Sequence, residues 1–216
     1  MRAARSARAL LRAARVAPLR HRRLASSAAP LAREVAEEGF AVVKSAVSAP
    51  LLADITRHFD WLRSTYPEIP TEHLHHPLVR RDPLWMHIAT HPDLLEPVQA
   101  ILGENVALFA SHYICKEPQT GLEVLPHQDV WPLDPMEVVS CFVAVDECSS
   151  RNGGLSVLPK SHLPGLRAHR VDPGENVFGA SLDADYTEPQ ALELSPGDAV
   201  LVKWRHFLAL SRCPSR

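Results

Sequence analysis

The chain is 216 residues long and 46% hydrophobic, which is sufficient for one globular domain with a substantial core. No apolar run reaches the length that a helix needs to cross a bilayer, so the sequence does not predict a membrane span. The four cysteines lack Cys-x-x-Cys spacing, which argues against a zinc site or a disulfide framework and fits a reducing compartment.

The formal net charge of -2 is distributed unevenly. Residues 1–30 hold eight of the 23 basic residues and no acidic residue, and they are rich in arginine, alanine, leucine and serine. This composition is typical of a mitochondrial transit peptide; a plastid transit peptide, a disordered basic tail and a nucleic-acid-binding arm are the alternatives. Because no aromatic residue interrupts the segment, we expect targeting and no nucleic-acid partner. The sequence therefore predicts a disordered leader over residues 1–30 and a mitochondrial location, with plastid or cytoplasm as alternatives, and one domain over residues 31–216.

Helices dominate the first part of this domain. They are predicted from apolar spacing, proline and capping signals at residues 31–36, 48–66, 85–88 and 94–102. A short apolar strand, Phe40–Val43, follows Gly39. These helices are expected to pack on the outside of a sheet.

Three histidines, His73, His75 and His76, lie in a proline-rich loop between the predicted helices. Clustered histidines can bind a metal ion. In a loop beside prolines, however, we expect histidines that are solvated or adjacent to a co-substrate rather than metal ligands.

Residues Val106–Lys116 alternate between two faces and predict the first strand of the main sheet. The alternation places Ala110, His112, Ile114 and Lys116 on one face. A single histidine in a strand is commonly a core or surface group, so His112 by itself does not indicate a site.

The tripeptide His127-Gln128-Asp129 lies in the next predicted strand, Val124–Val130. Side chains two residues apart in a strand point to the same face, so an imidazole nitrogen and a carboxylate oxygen lie side by side. With a histidine from another strand, these groups make the facial triad that holds non-haem Fe(II) and leaves coordination positions open. The spacing predicts a metal site, although His-x-Asp alone also arises by chance in a chain with 12 histidines and 25 acidic residues.

The residues after the tripeptide make the pattern more specific. A predicted strand over 136–145 ends at Asp146-Glu147, a tight turn follows at Asn152-Gly153-Gly154, and the strand Leu155–Leu158 leads into Pro159-Lys160-Ser161-His162. In order, spacing and residue type, residues 122–162 resemble the phytanoyl-CoA dioxygenase family of Fe(II)- and 2-oxoglutarate-dependent oxygenases.

The resemblance implies a mainly β fold, a double-stranded β-helix or jelly-roll of two antiparallel sheets, with N-terminal helices against the larger sheet. It implies that His127 and Asp129 bind Fe(II), that 2-oxoglutarate and dioxygen are co-substrates, and that a small organic or acyl molecule is hydroxylated. Asp129 favours hydroxylation, because related halogenases lack this carboxylate. The resemblance also places His112 beside 2-oxoglutarate, and Val143 where many relatives have a tryptophan.

The resemblance weakens toward the C-terminus. Residues Leu192–Val202 read as the strand-turn-strand that precedes the distal histidine ligand in relatives. The ligand position, eleven residues after Gly197, holds Leu208, and His206 lies two residues earlier. A register slip or a bulge would present His206 to the iron, because a shift of two residues preserves strand facing. In that case Arg212 or Arg216 would pair with the far carboxylate of 2-oxoglutarate.

Truncation is the favoured alternative, with an aberrant sequence after residue 202, where the family match is expected to end. The jelly-roll would then be incomplete at the C-terminus and would expose an unpaired sheet edge. The competing function is a catalytically impaired fragment, or a non-enzymatic jelly-roll that binds a small molecule. The long polar connection Lys160–Pro189 is expected to cover the site. The oligomeric state is not predicted.

Overall fold

The computed structural model describes residues 25–71, 74, 83–116, 123–129, 137–171, 180–183, 185–203 and 205–210. Several predicted features lie outside these residues, namely positions 1–24 of the leader, His73, His75, His76, Arg212 and Arg216. In the described part of the chain, no helix is long and apolar enough to cross a membrane.

Four α-helices are present in the described residues: α1 (Ala25–Glu38), α2 (Ala49–Thr65), α3 (Pro83–Ala89) and α4 (Pro92–Leu102). Proline is tolerated in the first turn of α2 and α4 because the first N–H groups of a helix have no intrahelical partner. The N-terminus of α4 is capped by His91, whose Nδ1 accepts a hydrogen bond from the Asp93 N–H at 3.3 Å. Helix α1 begins before residue 31, so part of the segment that was expected to be a leader is helical.

The described strands are β1 (Phe40–Val43), β2 (Val124–Gln128), β3 (Val139–Val143), β4 (Leu155–Val157), β5 (His169–Val171), β6 (Ala180–Leu182), β7 (Gln190–Ala191), β8 (Ala199–Lys203) and β9 (Phe207–Leu210). They form a three-stranded sheet in the order β1-β8-β3, a four-stranded sheet in the order β2-β9-β4-β7, and the hairpin β5-β6. All of these strand pairs are antiparallel. The predicted mainly β fold with N-terminal helices is confirmed. The hairpin lies inside the predicted connection Lys160–Pro189.

The main core lies between the three-stranded and the four-stranded sheet. Side chains alternate between the faces of a strand, so every second residue of each sheet points into this layer. Buried members include Val200 and Val202 from β8, Val157 from β4, and Leu208 and Leu210 from β9. Strand β9 therefore contributes both to the core and to the pairing that holds β2.

The other face of the three-stranded sheet is covered by helices. Val35 of α1 packs with Ala41 of β1 and Leu201 of β8, and Val98 and Ile101 of α4 pack against them. The expectation that the helices cover the larger sheet is therefore wrong for the described strands, since they cover the three-stranded one.

The strand predicted at Val106–Lys116 is not formed. Residues 106–111 have no strand conformation in the structure, and His112 makes only an isolated bridge. Leu108 and Phe109 are 51% and 54% exposed. A strand requires a hydrogen-bonded neighbour as well as an alternating sequence, and the described residues provide none for residues 106–111.

Asp198 joins the end of β1 to the turn before β8. Its side chain is 3% exposed, and its carboxylate accepts hydrogen bonds from Lys44 Nζ, the Ser45 N–H and the Ser195 N–H, each at 2.8 Å. Burial alone would raise the pKa of this carboxyl group, but the three donors outweigh burial and lower the pKa below 3.8. The carboxylate is therefore satisfied as an anion.

We expect Asp198→Asn to lower the free energy of unfolding by about 1.5–3 kcal/mol at pH 7, because hydrogen bonds to a charged acceptor are lost. The contribution of Asp198 is present above pH 3.8 and disappears as the pH falls through the lowered pKa of the folded state. The difference between the wild-type chain and D198N in urea unfolding should therefore shrink on acidification. Asp185→Asn, at an exposed position, is the control. Equal stability of D198N and D185N would contradict this role.

Candidate metal centre

His127 and Asp129 lie side by side at the end of β2. His127 Nε2 is 3.1 Å from Asp129 Oδ1. The His127 side chain is 8% exposed and that of Asp129 is 33% exposed, so the pair lies at the edge of the core with its carboxylate open to solvent. The spacing of two residues thus places both groups on one face, as local strand geometry requires.

Each member of the pair is held by a further hydrogen bond. His127 Nδ1 is 2.8 Å from the carbonyl oxygen of Leu125, a contact in which the ring nitrogen must donate. The Nε2 lone pair of neutral His127 is then directed at Asp129 and is available to a metal ion. Ser140 Oγ of β3 donates to the second carboxylate oxygen of Asp129. Ser140 therefore orients Asp129 from the opposite sheet.

The pKa of His127 is raised and the pKa of Asp129 is lowered by their contact. Burial alone would lower the pKa of His127, but the hydrogen bond and charge of Asp129, together with the Leu125 carbonyl, raise it above 6.5. Burial alone would raise the pKa of Asp129, but His127, the Ser140 hydroxyl and the charge of His112 lower it below 3.8. Protonated His127 thus stabilises the fold below pH 6.5 and loses this effect as the pH rises through its folded pKa. The Asp129 contribution is present above pH 3.8 and is lost as the pH falls through its folded pKa.

His112 lies close enough to act on Asp129 electrostatically. Its side chain is exposed, and its charge is one of the causes of the lowered Asp129 pKa. The structure therefore brings His112 to the same region as the pair even though its predicted strand is not formed. Contact of His112 with 2-oxoglutarate stays a prediction.

The structure does not bring His206 to the pair. His206 is 1% exposed and directly precedes β9, where its Nδ1 is 3.1 Å from Ser161 Oγ. Its ring is 6.0 Å from that of His162 and 5.5 Å from that of Phe40. A Cβ atom at Gly39 would collide with His206 Nδ1, so the backbone of Gly39 covers the imidazole. No group of three or more His, Cys, Asp or Glu side chains among the described residues could hold a metal ion, so the structure does not group His206 with the pair. Metal binding by His206 stays a prediction.

Leu208 occupies the place next to the pair. In the antiparallel ladder of β2 and β9, Leu208 is directly opposite His127. Opposed residues share a face, and their Cβ atoms are typically about 4.5–5.5 Å apart. Leu208 is 8% exposed and belongs to the main core. The position that sequence spacing assigns to the distal ligand is therefore beside His127, and it carries a hydrocarbon side chain.

Comparison with known protein families identifies the family of this chain. The sequence profile of the family "Phytanoyl-CoA dioxygenase (PhyH)" matches residues 35–207. The chain belongs to the phytanoyl-CoA dioxygenase family. The match passes residue 202, where the resemblance was expected to end, and includes β8 and the start of β9.

Individual relatives cover less of the chain. Phytanoyl-CoA dioxygenase 1 of Oryza sativa subsp. japonica is 29% identical over 139 residues, which are 62% of this chain and 50% of that protein. The peroxisomal phytanoyl-CoA dioxygenase of Homo sapiens is 30% identical over 123 residues, which are 51% of this chain and 36% of that protein. The matched region thus spans half or less of these two relatives.

Solved structures show the fold. The epimerase SnoN, in complex with Fe3+, alpha ketoglutarate and nogalamycin RO, superposes with a TM-score of 0.67 at 15% identity, over 88% of this chain and 79% of SnoN. The alpha ketoglutarate dependent carbocyclase SnoK superposes with a TM-score of 0.66 at 18% identity, over 87% of this chain and 79% of SnoK.

Sequence reasoning missed Gln128, the middle residue of the tripeptide in this phytanoyl-CoA dioxygenase domain. It is fully buried and faces away from the pair. Its side-chain Oε1 accepts from the Arg167 N–H at 2.9 Å, and its Nε2 donates to the carbonyl oxygens of Gly165, at 3.1 Å, and Arg205. Gln128 thus links β2 to the segment after β4 and to the residue before His206. The spacing indicates only that Gln128 faces away from the pair, and no sequence pattern identifies its partners.

His169 extends the same connection, and it does so as a neutral side chain. Its Nε2 accepts from the Gln128 N–H at 3.1 Å, while its Nδ1 is 3.0 Å from the Arg167 carbonyl oxygen. Burial, followed by the charge of His127, lowers the pKa of His169 despite the Arg167 contact. The hairpin β5-β6 therefore contacts β2 through His169, a histidine that is not a predicted metal ligand.

We expect Asp129→Asn to lower the pKa of His127, because the carboxylate that raises it is removed. An NMR titration of the histidine ring resonances would measure the shift. Ser140→Ala is the matched control, since it removes a contact of Asp129 and leaves the pair intact. An unchanged His127 pKa in D129N would show that the contact between the two side chains is not maintained in solution.

A second prediction concerns His206. Burial, and then the charge of His162, lower its pKa from 6.5 to about 3. Between pH 6.5 and 3 the unfolded chain therefore binds a proton at this residue that the folded chain does not. The free energy of unfolding falls by up to about 1.4 kcal/mol for each unit by which the pH is lowered through this range. His206→Phe should flatten this slope in chemical unfolding, whereas His87→Phe, at an exposed position, should leave it unchanged. Equal slopes in H206F and the wild-type chain would refute the buried neutral state.

Proposed function

We propose that this chain is an Fe(II)- and 2-oxoglutarate-dependent dioxygenase domain in which His127 and Asp129 bind the metal. The observation that carries the proposal is the pair itself: the His127 Nε2 lone pair and the Asp129 carboxylate share one face, and each is held by a separate hydrogen bond. Family membership supports it, as does the fold shared with SnoN, which was solved with Fe3+ and alpha ketoglutarate, and with the alpha ketoglutarate dependent SnoK. Bound Fe(II), with 2-oxoglutarate and dioxygen, would supply hydroxylation of a C–H bond in a small organic or acyl substrate.

The described residues do not complete this site. A facial triad needs two histidines and one carboxylate, and the described residues provide one of each. Leu208 takes the place beside His127, and His206 is buried in a separate cluster. Two ligands hold a divalent ion less tightly than three, since each ligand contributes to both affinity and geometry.

The same observation favours a second candidate function for the 216-residue chain, a catalytically impaired domain that binds a divalent cation weakly. In this interpretation Leu208 separates the chain from a competent dioxygenase. Neighbouring residues still position the His127 and Asp129 side chains. Leu125 sets the tautomer of His127, Ser140 orients Asp129, and Gln128 anchors strand β2.

For the whole protein we propose a small-molecule substrate. We expect neither a nucleic-acid partner nor a membrane span. The predicted location is mitochondrial, although the Homo sapiens relative is peroxisomal by name.

The decisive substitution is Leu208→His. Because residue 208 faces His127, the new imidazole would join the pair, and we expect the affinity for Fe(II) under anaerobic conditions to rise by about tenfold or more. Addition of 2-oxoglutarate to L208H should then produce a visible metal-to-ligand charge-transfer band, whereas the impaired-domain interpretation predicts no such band for the wild-type chain. Ala209→His is the matched control, because residue 209 is similarly buried but faces the opposite side of β9.

Three outcomes separate the interpretations. A charge-transfer band in the wild-type chain would show that the site is already complete and would reject the impaired domain. Equal affinities of L208H and A209H would reject the placement of the third ligand beside His127. Fe(II) binding that survives in both His127→Ala and Asp129→Ala would reject the pair as the metal site.

A further inference from the structure

Lys116 brings a cationic group to the end of β9. Its Nζ donates a hydrogen bond to the carbonyl oxygen of Leu210 at 3.1 Å, and the residue is half-buried. Burial raises the pKa of the Cys148 thiol, and the charge of Lys116 opposes that shift. Because Cys148 belongs to the main core, the ammonium group lies close to this core.

Residues 112–116 turn alternate side chains to opposite sides. Tyr113 and Cys115 pack in the hydrophobic cluster around α2 and α3, whereas Ile114 packs against the main core. Side chains two residues apart in an extended segment share a face, so His112 and Lys116 lie on the side of Ile114. Lys116 thus faces the core between the sheets rather than the helices.

Both ends of this segment approach the candidate metal centre. Against the effect of burial, the charge of His112 helps to lower the pKa of Asp129, so the start of the segment lies near that carboxylate. At the other end, Lys116 contacts Leu210 of β9, the strand that pairs with β2. The ammonium group is therefore displaced from the pair along the direction of these strands.

The ladder of β2 and β9 gives the size of this displacement. Leu208 is opposite His127, and Leu210 lies two residues farther along β9. Two residues advance a strand by about 7 Å and return to the same face. The carboxyl carbons of an extended five-carbon diacid are about 5 Å apart, and the oxygens extend beyond them. A diacid with one end at His127 and Asp129 therefore has its other end within reach of the ammonium group.

We propose that Lys116 binds the far carboxylate of 2-oxoglutarate, while the near end of this acid lies at the His127–Asp129 pair. The inference rests on the proposed function and names the residue that selects its co-substrate. An ammonium group has three N–H donors, and charge-assisted hydrogen bonds to a carboxylate are stronger than neutral ones. Arg212 and Arg216, which sequence spacing offers for this carboxylate, lie outside the described residues. The contacts of Lys116 already place a cation beside β9.

The binding of two 2-oxo acids tests this role. 2-Oxopentanoate has the five carbons of 2-oxoglutarate and a methyl group in place of the far carboxylate. In calorimetric titrations with Fe(II) and without oxygen, we expect the wild-type chain to prefer 2-oxoglutarate by about tenfold or more. In Lys116→Met the two dissociation constants should become nearly equal, because only the charged contact is lost. Lys160→Met is the matched control, since it removes a lysine that pairs with Glu38, and it should keep the preference.

A purely structural role for Lys116 predicts a different result. If Lys116 only fastens the end of β9, K116M should weaken the binding of both acids equally and keep their ratio, which overturns the proposal. Lys116→Gln retains an N–H donor for the Leu210 carbonyl oxygen and removes the charge, so it should lose the preference as K116M does. A preference that survives in K116Q also overturns the proposal and assigns the far carboxylate to another cation.

The same titrations in L208H separate this inference from the proposed function. The wild-type chain could bind neither acid while L208H prefers 2-oxoglutarate and loses that preference when Lys116→Met is added. In that case the dioxygenase assignment of the wild-type chain fails and the Lys116 subsite stands. Equal binding of both acids by L208H rejects the subsite and leaves the metal centre intact. Failure of both chains to bind either acid overturns both proposals.

Discussion

The pairing of β9 with β2 is the constraint on which the site depends. Strand β9 lies between β2 and β4, and its side chains enter the main core. A shift of its register by one residue would turn Leu208 and Leu210 out of that core. The same register sets Leu208 against His127. The environment of the His127–Asp129 pair is thus decided by packing energy along the whole strand rather than by the two side chains themselves.

His206 shows how the same sequence neighbourhood supports a different role. Two residues before Leu208, it lies beneath Gly39 and against Ser161 and His162. Ser161 Oγ also accepts the Phe207 N–H at 2.9 Å, which ties the start of β9 to the turn after β4. The side chain that sequence spacing offers as a ligand instead joins β1, β9 and this turn, and its burial favours the neutral imidazole.

Gln128 connects the strand that carries the pair with the segments around the buried imidazole of His206. Its carboxamide contacts Gly165, Arg167 and Arg205, and so spans from β2 to the residue before His206. A buried carboxamide with its donors and acceptor satisfied fixes one arrangement, because any shift would leave polar atoms unpaired away from water. The position of His127 and Asp129 therefore depends on contacts made on the reverse face of their own strand.

The sequence by itself determined the features that follow from local geometry. Alternation along a strand was enough to place His127 beside Asp129, helix-start and helix-end signals located α2 and α4, and residue order revealed the family. Only the tertiary structure decided which side chain of β9 faces the pair, because strand register depends on the core as a whole. It also decided that residues 106–111 form no strand although their pattern predicts one, since pairing needs a neighbour that no local pattern supplies. The partners of Gln128 and His206 belong to this second class, because they come from segments distant in the chain.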